Sequence, residues 1–408
     1  MEYIQRELER KFLKMNSVFK VILVTGARQV GKTTMLKHLA ESENRTFVTM
    51  DDARNRELAR RDPKLFFQMY QPPILIDEAQ KAPELFETIK QMCDETEENG
   101  LFWLTGSESR KLLKEAGDSL AGRICILRMY SLSQREKQGL ADIGELPFSF
   151  EALKRREQHF GKNNIGDMYE HIWKGGMPGT LQMDAEQRYE YYESYINTYL
   201  LRDAVDDNGI TDTVGFRRVL AACASFIGNL VNYTDIANAG GVSVVTVKKW
   251  MKILQNMGII FLLDTYANNE LKRLVKTPKL YFCDTGLAAY LSMWTSKEVL
   301  MNGAASGHYF ENYVVGELLR GYSYSEKKVN LTYYRDTNQK EIDMVIEEAG
   351  IVHPVEIKKA TNPEKRVVKA FKVLETTNNT MGMGVVICMT DTVFPIDENN
   401  AMIPCNIL

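Results

Sequence analysis

Paired cysteines, long apolar runs and an excess of positive charge are all missing from this sequence of 408 residues. Its six cysteines are scattered, without a C-x-x-C pair, so free thiols in a reducing compartment fit better than a disulfide framework. No apolar run reaches about 18 residues, and the charged N-terminus is unlike a secretory signal. The sequence therefore predicts a cytoplasmic protein without a membrane partner.

A net charge of −3 gives the chain no global positive field, so any contact with nucleic acid must depend on a local basic patch. The content of hydrophobic residues is 44% and that of charged residues is 26%, which is typical of folded globular proteins. A chain of this length can form several domains, each with its own core.

The first motif lies where a β-branched apolar run, Val21–Thr25, meets the pattern Gly26-x-x-x-x-Gly31-Lys32-Thr33. This pattern is a complete Walker A loop, in which glycines let backbone N–H groups cradle phosphate oxygens. Lys32 is expected to reach the β and γ phosphates of ATP, and Thr33 to place a hydroxyl on Mg2+. The helix-prone segment that follows adds a positive N-terminus to the anion site. The predicted nucleotide-binding residues are Gly26, Ala27, Arg28, Gln29, Val30, Gly31, Lys32, Thr33 and Thr34.

A second apolar run, Pro72–Ile76, ends in the adjacent acids Asp77 and Glu78, as in a Walker B segment. Asp77 is expected to hold Mg2+, and Glu78 to polarise the attacking water. Since ligands bind where parallel strands end, both motifs are expected to lie at one edge of a single sheet.

Two further residues are candidates for the same site. Ser107 follows the buried run Leu101–Thr105 and is placed to contact the γ phosphate or the attacking water. Thr105 is an alternative for that role, and a simple helix cap is the structural alternative for Ser107. Arg123 follows a small-residue turn, so we predict a phosphate contact in its own subunit or in a neighbour's site, with a plain surface charge as the alternative.

These motifs, in this order, resemble the AAA-type P-loop ATPases of bacteria and archaea that carry a C-terminal DUF4143 region. The residues that carry the resemblance are Gly26–Thr33, Leu75–Gln80, Leu104–Ser107 and Ser119–Arg123. The resemblance implies ATP hydrolysis by a RecA-like αβα core with an extra strand between the Walker strands. It also implies a downstream winged helix joined to a restriction-endonuclease-like fold.

The expected fold class is therefore α/β, with an AAA P-loop core followed by a helical linker, a winged helix and a small restriction-endonuclease-like α/β domain. The predicted boundaries are 1–135 for the ATPase domain, 136–230 for the helical linker, 231–284 for the winged helix and 285–408 for the C-terminal domain.

Residues 233–258 have the pattern of a short helix, a glycine-containing turn and a second helix capped by Ser243, which is typical of a helix-turn-helix. Lys248, Lys249 and Lys252 fall largely off the apolar face of the second helix. They are available to the phosphates of double-stranded DNA, or they simply solvate an exposed face.

The segments 259–265 and 278–283 are expected to form the wing hairpin, with residues 268–276 at its tip. Because many winged helices bind protein instead of DNA, both kinds of partner remain open. A homo-oligomer is a further expected partner.

Two alternating strands flank a turn at Glu348–Ile351 in the C-terminal part. A symmetric turn places Asp343 opposite Glu356, with Lys358 on the same face. Directly paired carboxylates are close enough to share a divalent cation, and we choose Glu311, from a neighbouring helix, as a third ligand. The alternative is a solvated strand face.

This second pattern is similar to the PD-(D/E)XK nucleases, although no proline precedes the first acid. The resemblance implies Mg2+ ligands at Glu311, Asp343 and Glu356, and a charge-stabilising role for Lys358. Two functions follow from the whole sequence. One is an ATP-driven enzyme acting on DNA, with Lys32, Glu78, Ser107 and Arg123 as catalytic residues of the ATPase. The other is a nucleotide-dependent switch or assembly protein whose C-terminal domain binds without cleavage.

Overall fold

The computed structural model describes residues 2–107, 110–162, 164–206, 208–266, 276–376 and 379–408. Its N-terminal part alternates strands with helices, as the sequence predicts. The strands are β1 (Val21–Thr25), β2 (Thr46–Thr49), β3 (Ile74–Asp77), β4 (Phe102–Thr105) and β5 (Ile124–Arg128). The helices are α1 (Leu8–Asn16), α2 (Lys32–Ala40), α3 (Ala53–Arg61), α4 (Pro63–Met69), α5 (Leu85–Asp94) and α6 (Arg110–Ser119).

The five strands form a parallel sheet in the order β2-β3-β4-β1-β5. The strand β4 lies between the two Walker strands β1 and β3, which confirms the extra strand implied by the resemblance. Every residue of β1 is buried because helices cover both faces of the sheet. Ile22 and Val24 pack into the larger core, whereas Val21 and Leu23 pack into a second core on the other face.

The middle of the chain is helical, which confirms the prediction for this region. Its elements are α7 (Gln134–Lys137), α8 (Phe150–Glu157), α9 (Ile165–Lys174), α10 (Ala185–Tyr195), the π-helical turn Ile196–Leu200, α11 (Leu201–Asp206) and α12 (Thr213–Ser225). Tyr192 and Tyr195 of α10 are buried in the larger core, whereas Tyr189 of the same helix is exposed.

The next elements are α13 (Tyr233–Gly240), α14 (Val244–Asn256), β6 (Ile260–Leu263) and β7 (Lys279–Phe282). The two helices are where the sequence predicts them. Gly241, in the left-handed region at φ 68°, ends α13, and the Ser243 hydroxyl accepts from the N–H of Thr246 at 3.1 Å to begin α14. The strands β6 and β7 pair in antiparallel fashion, and most of the predicted wing tip, residues 268–275, lies outside the described residues.

The C-terminal part holds a second sheet and the helices that cover it. The helices are α15 (Thr285–Leu291), α16 (Lys297–Asn302), α17 (Ser306–Tyr324) and the 3-10 helix Lys365–Thr376. The strands are β8 (Val329–Arg335), β9 (Glu341–Glu348), β10 (Ile351–Lys358), β11 (Thr380–Met381), β12 (Gly384–Cys388), β13 (Phe394–Pro395) and β14 (Asn400–Pro404). They are ordered β13-β14-β12-β10-β9-β8, and β11 also pairs with β10.

The register of β9 and β10 confirms the predicted pairing. Residues Ala349 and Gly350 turn the chain at φ 50° and 81°, and the pairs run from Ile351 opposite Glu348 to Val355 opposite Met344. Extended by one pair, the same register places Asp343 opposite Glu356.

The larger core is continuous from the N-terminal sheet through the helical region to the C-terminal sheet. It includes Met129, Tyr195, Leu254, Tyr281 and Ile346, which come from all the parts described above. Within the described ranges, no helix combines the length and the apolar character that a membrane crossing requires.

Candidate nucleotide-binding site and acidic cluster

The predicted phosphate loop lies between β1 and α2, at the carboxyl edge of the parallel sheet. Gly31 adopts a left-handed conformation at φ 100° directly before Lys32, the first residue of α2. At Gly26, an added Cβ would lie 2.1 Å from the carbonyl oxygen of Met129, so a side chain has no room there. The loop therefore requires its glycines for conformation at one position and for space at the other.

The Lys32 side chain is buried and folds back over this loop. Its Nζ donates to the carbonyl oxygens of Gly26 at 3.1 Å and Ala27 at 2.8 Å. The lysine therefore holds a positive charge next to the backbone that is predicted to cradle phosphate.

The Asp77 carboxylate, at the end of β3, accepts hydrogen bonds from the hydroxyl groups of three threonines. Thr33 and Thr105 donate to Oδ1 at 2.5 and 2.6 Å, and Thr49 donates to Oδ2 at 3.2 Å. The structure thus brings together Thr33 and Asp77, the two predicted Mg2+ ligands of the Walker site. Hydroxyl and carboxylate oxygens are hard donors of the kind Mg2+ prefers, so these residues fit the ion.

Glu78 follows in the left-handed region at φ 58°, which is uncommon for a residue with a side chain. Its carboxylate accepts a hydrogen bond from Gln80 Nε2, which also lies 3.1 Å from the hydroxyl of Ser107. Gln80 therefore links two predicted catalytic residues. It was not among the predicted site residues, although its place two residues after the acidic pair could have suggested it.

Thr105 and Ser107 have different positions. Thr105 is buried, donates to Asp77, and accepts from the backbone N–H of Glu78 at 3.2 Å, so it orients the acidic pair. Ser107 lies beyond the end of β4, next to Gln80, and its role at the γ phosphate stays a prediction.

The prediction that Arg123 meets phosphate within its own subunit is wrong. Arg123 immediately precedes β5, and its carbonyl accepts from the N–H of Val21 at the start of β1, whereas the phosphate loop follows the end of β1. The two lie at opposite edges of the parallel sheet. Arg123 instead forms a surface ion pair with Asp94 at 2.6 Å, and a contact with a neighbouring subunit's site stays a prediction.

Arg28 of the phosphate loop connects the loop to the helical region. Its guanidinium binds both carboxylate oxygens of Asp203 in α11, with Nε–Oδ2 at 2.5 Å and a second contact at 3.0 Å. Another of its nitrogens lies 3.9 Å from Glu78 Oε2. Local spacing marked Arg28 as part of the cradle but gave no signal for Asp203, which lies far away in the sequence.

Other parts of the chain also contact the loop. The carbonyl of Val30 accepts from Arg6 at 2.7 Å, and Gln29 accepts from the hydroxyl of Tyr191 at 2.5 Å. At Gly258, directly after α14 and its cap, an added Cβ would lie 3.2 Å from the backbone nitrogen of Ala27. The phosphate loop is therefore in contact with the segment before α1, with α10 and with the residue that follows the helix-turn-helix.

The lysines of α14 are exposed, as the sequence predicts. Lys248, Lys249 and Lys252 lie on the outer face, while Val247 and Met251 are buried. None of the three lysines forms an ion pair with a residue that the structure describes. They are thus accessible to a charged partner.

The predicted residues of the C-terminal site meet around the start of β9 and the end of β10. We define the acidic cluster as Glu311, Glu341, Asp343 and Glu356. Lys358 Nζ lies 2.5 Å from Glu356 Oε1 and 3.7 Å from Asp343 Oδ2, and the N–H of Ile357 donates to Asp343 Oδ2 at 2.8 Å. The structure therefore brings together all four residues chosen from the sequence.

A residue that was not predicted, Lys279 of β7, lies among these acids. Its Nζ is 2.5 Å from Glu341 Oε1, 2.9 Å from Glu311 Oε1 and 3.8 Å from Asp343 Oδ1. Its side chain is only 3% exposed. Burial lowers the pKa of Lys279, but the three carboxylates together raise it further, so the net shift is upward and the lysine is charged.

Burial also affects the acids themselves. It raises the pKa of Glu311 to about 7 and that of Glu356 to about 8, with Asp343 adding to both shifts through like charge. One oxygen of Glu356, Oε2, is buried without a hydrogen-bond partner. Across the described ranges, no group of three or more His, Cys, Asp or Glu residues has an arrangement that could hold a metal ion. The residues of the acidic cluster, as arranged around Lys279, do not fit Mg2+.

Family models match three parts of the chain. A model described as an AAA domain matches residues 18–137, a domain of unknown function, DUF8612, matches 165–298, and a second domain of unknown function, DUF4143, matches 306–408. An uncharacterized protein of Mycobacterium tuberculosis is 27% identical over 348 residues, which cover 84% of this chain and 71% of that protein. An uncharacterized protein of Haemophilus influenzae is 24% identical over 68% of this chain and 60% of its own length.

Two solved structures are similar at low sequence identity. The Walker-type ATPase of Pyrococcus abyssi is 14% identical and has a TM-score of 0.44, with 71% of this chain and 96% of that chain covered. The RuvB Holliday junction branch migration motor of Thermotoga maritima is 17% identical and has a TM-score of 0.32, with 64% and 90% covered. The matches to family models, together with the P-loop sheet, support nucleotide binding and hydrolysis. The chain therefore joins an AAA-type P-loop ATPase domain, over residues 18–137, to a C-terminal DUF4143 domain, over residues 306–408.

Proposed function

We propose that this chain binds ATP in the phosphate loop and hydrolyses it with Mg2+. The observation that carries the proposal is the direct contact between Thr33 of Walker A and Asp77 of Walker B, with Glu78 adjacent at the same sheet edge. If the glycine-containing turn and the acidic strand end were unrelated to a nucleotide site, there would be no reason for Thr33, Asp77 and Glu78 to lie together.

The residues of the site have separable roles. When bound, Mg2+ neutralises charge that develops on the transferred phosphoryl group. Thr33 and Asp77 would hold the ion, and Lys32 would balance negative charge on the phosphates. Glu78 would orient the attacking water and accept its proton, held in place by Gln80 and by the peptide N–H bond to Thr105.

Two substitutions test this assignment. Lys32→Ala removes the cation that meets phosphate, so nucleotide binding should be lost. Glu78→Gln keeps the shape of the side chain but not its basicity, so binding should persist while turnover falls by about 100-fold or more. Binding of a fluorescent ATP analogue and phosphate release measure the two effects. Turnover that persists in both variants would reject the proposal.

We further propose that the nucleotide state is passed to the helix-turn-helix and the C-terminal domain, which act as a winged helix and its partner on double-stranded DNA. Arg28 bridges the loop to Asp203, and Gly258 packs on Ala27, so a shift of the loop must be accommodated by both neighbours. The exposed lysines of α14 supply the positive patch that the net charge of the chain does not.

A specific observation favours the second function, a nucleotide-dependent switch or assembly protein without cleavage. Lys279 fills the space between the acids that a nuclease would use for metal. Mg2+-dependent nicking of plasmid DNA that disappears in Asp343→Ala would support the enzyme acting on DNA. ATP hydrolysis without nicking, together with a change of molecular mass in ATP, would support the switch.

A further inference from the structure

The strand β7 brings two side chains to the acidic cluster. Lys279 contacts Glu311, Glu341 and Asp343, and the hydroxyl of Tyr281 donates to the same oxygen of Glu311 at 2.6 Å. These residues precede the C-terminal domain in the sequence and pair with β6 beside the helix-turn-helix. The charge balance of the cluster is therefore set partly by a different structural unit.

The position of Lys279 conflicts with a metal ion at the same acids. Mg2+ requires several oxygen ligands at about 2.1 Å in near-octahedral geometry. Lys279 Nζ already lies 2.9 Å from one oxygen of Glu311 and 3.8 Å from one of Asp343, two of the three acids predicted to hold the ion. A metal ion bound to these oxygens would lie within a few ångströms of the lysine Nζ, and two cations so close together repel each other strongly in a buried site. The lysine and the metal therefore exclude one another.

The acidic cluster nevertheless contains a carboxylate oxygen that neither Lys279 nor Lys358 pairs with. Glu356 is 7% exposed, its Oε1 is paired with Lys358, and its Oε2 is buried without a hydrogen-bond partner. A buried carboxylate oxygen without a partner is costly and is a ready ligand for a cation. If Lys279 left, Glu311 would also lose its paired lysine, and Asp343 would keep only Lys358 as a nearby cation among the described residues.

We propose that Lys279 and a divalent cation are mutually exclusive occupants of the acidic cluster, and that Lys279 is its resident cation. In this arrangement the C-terminal domain is closed to metal, and metal enters only when β7 withdraws the lysine. The proposal goes beyond the ATPase function and does not depend on it.

Mn2+ binding to the full-length, nucleotide-free chain tests this directly. An Asp77→Asn background removes the carboxylate ligand of the Walker site, so binding there is not counted. In that background, Lys279→Met should bind one Mn2+ per chain at least about tenfold more tightly than the parent, because the competing charge is gone. Electron paramagnetic resonance of free Mn2+ gives the affinity. Lys276→Met, at an exposed lysine of the same segment, is the matched control and should not differ from the parent.

Adding Asp343→Asn to Lys279→Met should remove the gained binding. Equal Mn2+ affinity in the parent and in Lys279→Met, or a gain that survives Asp343→Asn, would overturn the proposal. A second measurement applies even if Lys279→Met does not fold. With Lys279 intact, Mn2+ should shift the thermal unfolding temperature of the Asp77→Asn protein no more than that of its Asp343→Asn derivative. A larger, Asp343-dependent shift would show that metal binds beside the lysine, against the proposal.

Discussion

Three threonine hydroxyls surround the Asp77 carboxylate, and one of them also orients Glu78. Thr105 is central because its single hydroxyl donates to Asp77 and accepts from the N–H of Glu78. The local sequence marked Thr105 only as an alternative phosphate contact. At the residue scale, the Walker acids are therefore positioned by a neighbouring strand as much as by their own.

Thr105→Val should lower both activity and stability. The substitution keeps the shape but leaves the buried N–H of Glu78 without its partner, which costs about 1–3 kcal/mol in the free energy of unfolding. Misplacement of Glu78 should lower kcat by about tenfold or more. Thr25→Val is a matched control, because the buried Thr25 hydroxyl at the end of β1 has no hydrogen-bond partner among the described residues. Chemical unfolding and phosphate release measure the stability and the kcat of both variants. Equal losses of kcat in Thr105→Val and Thr25→Val would contradict the role of Thr105.

His171 in α9 should make stability fall at acid pH. Burial, and then the charge of Lys137, lower the pKa of His171 to about 4. The unfolded chain has a histidine pKa of about 6.5, so between these values it binds more protons than the folded chain. Stability should therefore decrease as the pH falls from about 6.5 towards 4.

His171→Gln should remove this part of the pH dependence and have no such effect above pH 7. Chemical unfolding across this range, compared with wild type, gives the difference in slope. His159→Gln, at an exposed histidine, is the control. A slope that is identical in wild type and His171→Gln would contradict the prediction.

The end of α14 is the element through which the helix-turn-helix contacts the ATPase loop. Gly258 adopts φ 70° and has too little space for a methyl group beside Ala27. Gly241, at the end of α13, adopts nearly the same φ of 68°, but the nearest atom of the described residues to an added Cβ is a guanidinium nitrogen of Arg218 at 3.9 Å. A comparison of alanine substitutions at the two glycines therefore distinguishes the effect of backbone strain, which both share, from the effect of the contact with the loop, which only Gly258 makes.

Gly258→Ala should change nucleotide affinity, whereas Gly241→Ala should not. Both substitutions cost about 1–2 kcal/mol in stability from left-handed strain. Only Gly258→Ala must also displace the backbone of Ala27 by a few tenths of an ångström, which should weaken ATP binding by about three- to tenfold. Titration with a fluorescent analogue measures this. Equal affinities in the two variants would argue against transmission through this contact.

On the scale of the whole molecule, one core runs from the ATPase sheet to the C-terminal sheet. The apolar face of α14 packs into this core, and its lysines are exposed. Because the net charge of the chain is −3, any DNA contact must depend on a local basic patch such as this one. The same patch would be irrelevant if the helix-turn-helix binds protein through apolar contacts.

Replacing Lys249 and Lys252 with alanine should reduce the salt dependence of binding to double-stranded DNA. Each lost phosphate contact lowers the slope of log K against log salt by about 0.9, so the slope should fall by roughly 1.8. Fluorescence anisotropy over a series of salt concentrations, in ATP and in ADP, gives the slopes. Lys64 and Lys114, two exposed lysines of the ATPase domain, provide the matched double variant. An equal loss in both double variants would indicate nonspecific binding and contradict the role of α14.

Local spacing in the sequence by itself determined the Walker loop, the acidic pair and the pairing of β9 with β10. These features depend on neighbouring residues: a glycine pattern defines a phosphate loop, and period-two alternation around a short turn defines a strand register. They needed no knowledge of how distant segments pack. For that reason Asp343 and Glu356 could be placed opposite each other from the amino-acid sequence alone.

Only the tertiary structure decided which distant charges meet. Strand polarity put Arg123 at the wrong edge for its own site, and packing between domains paired Arg28 with Asp203 and placed Lys279 among the acids. Such contacts depend on strand order and on how domains fit against each other, which no local period encodes. The sequence thus specified the reactive groups, and the fold determined which cation each acid faces.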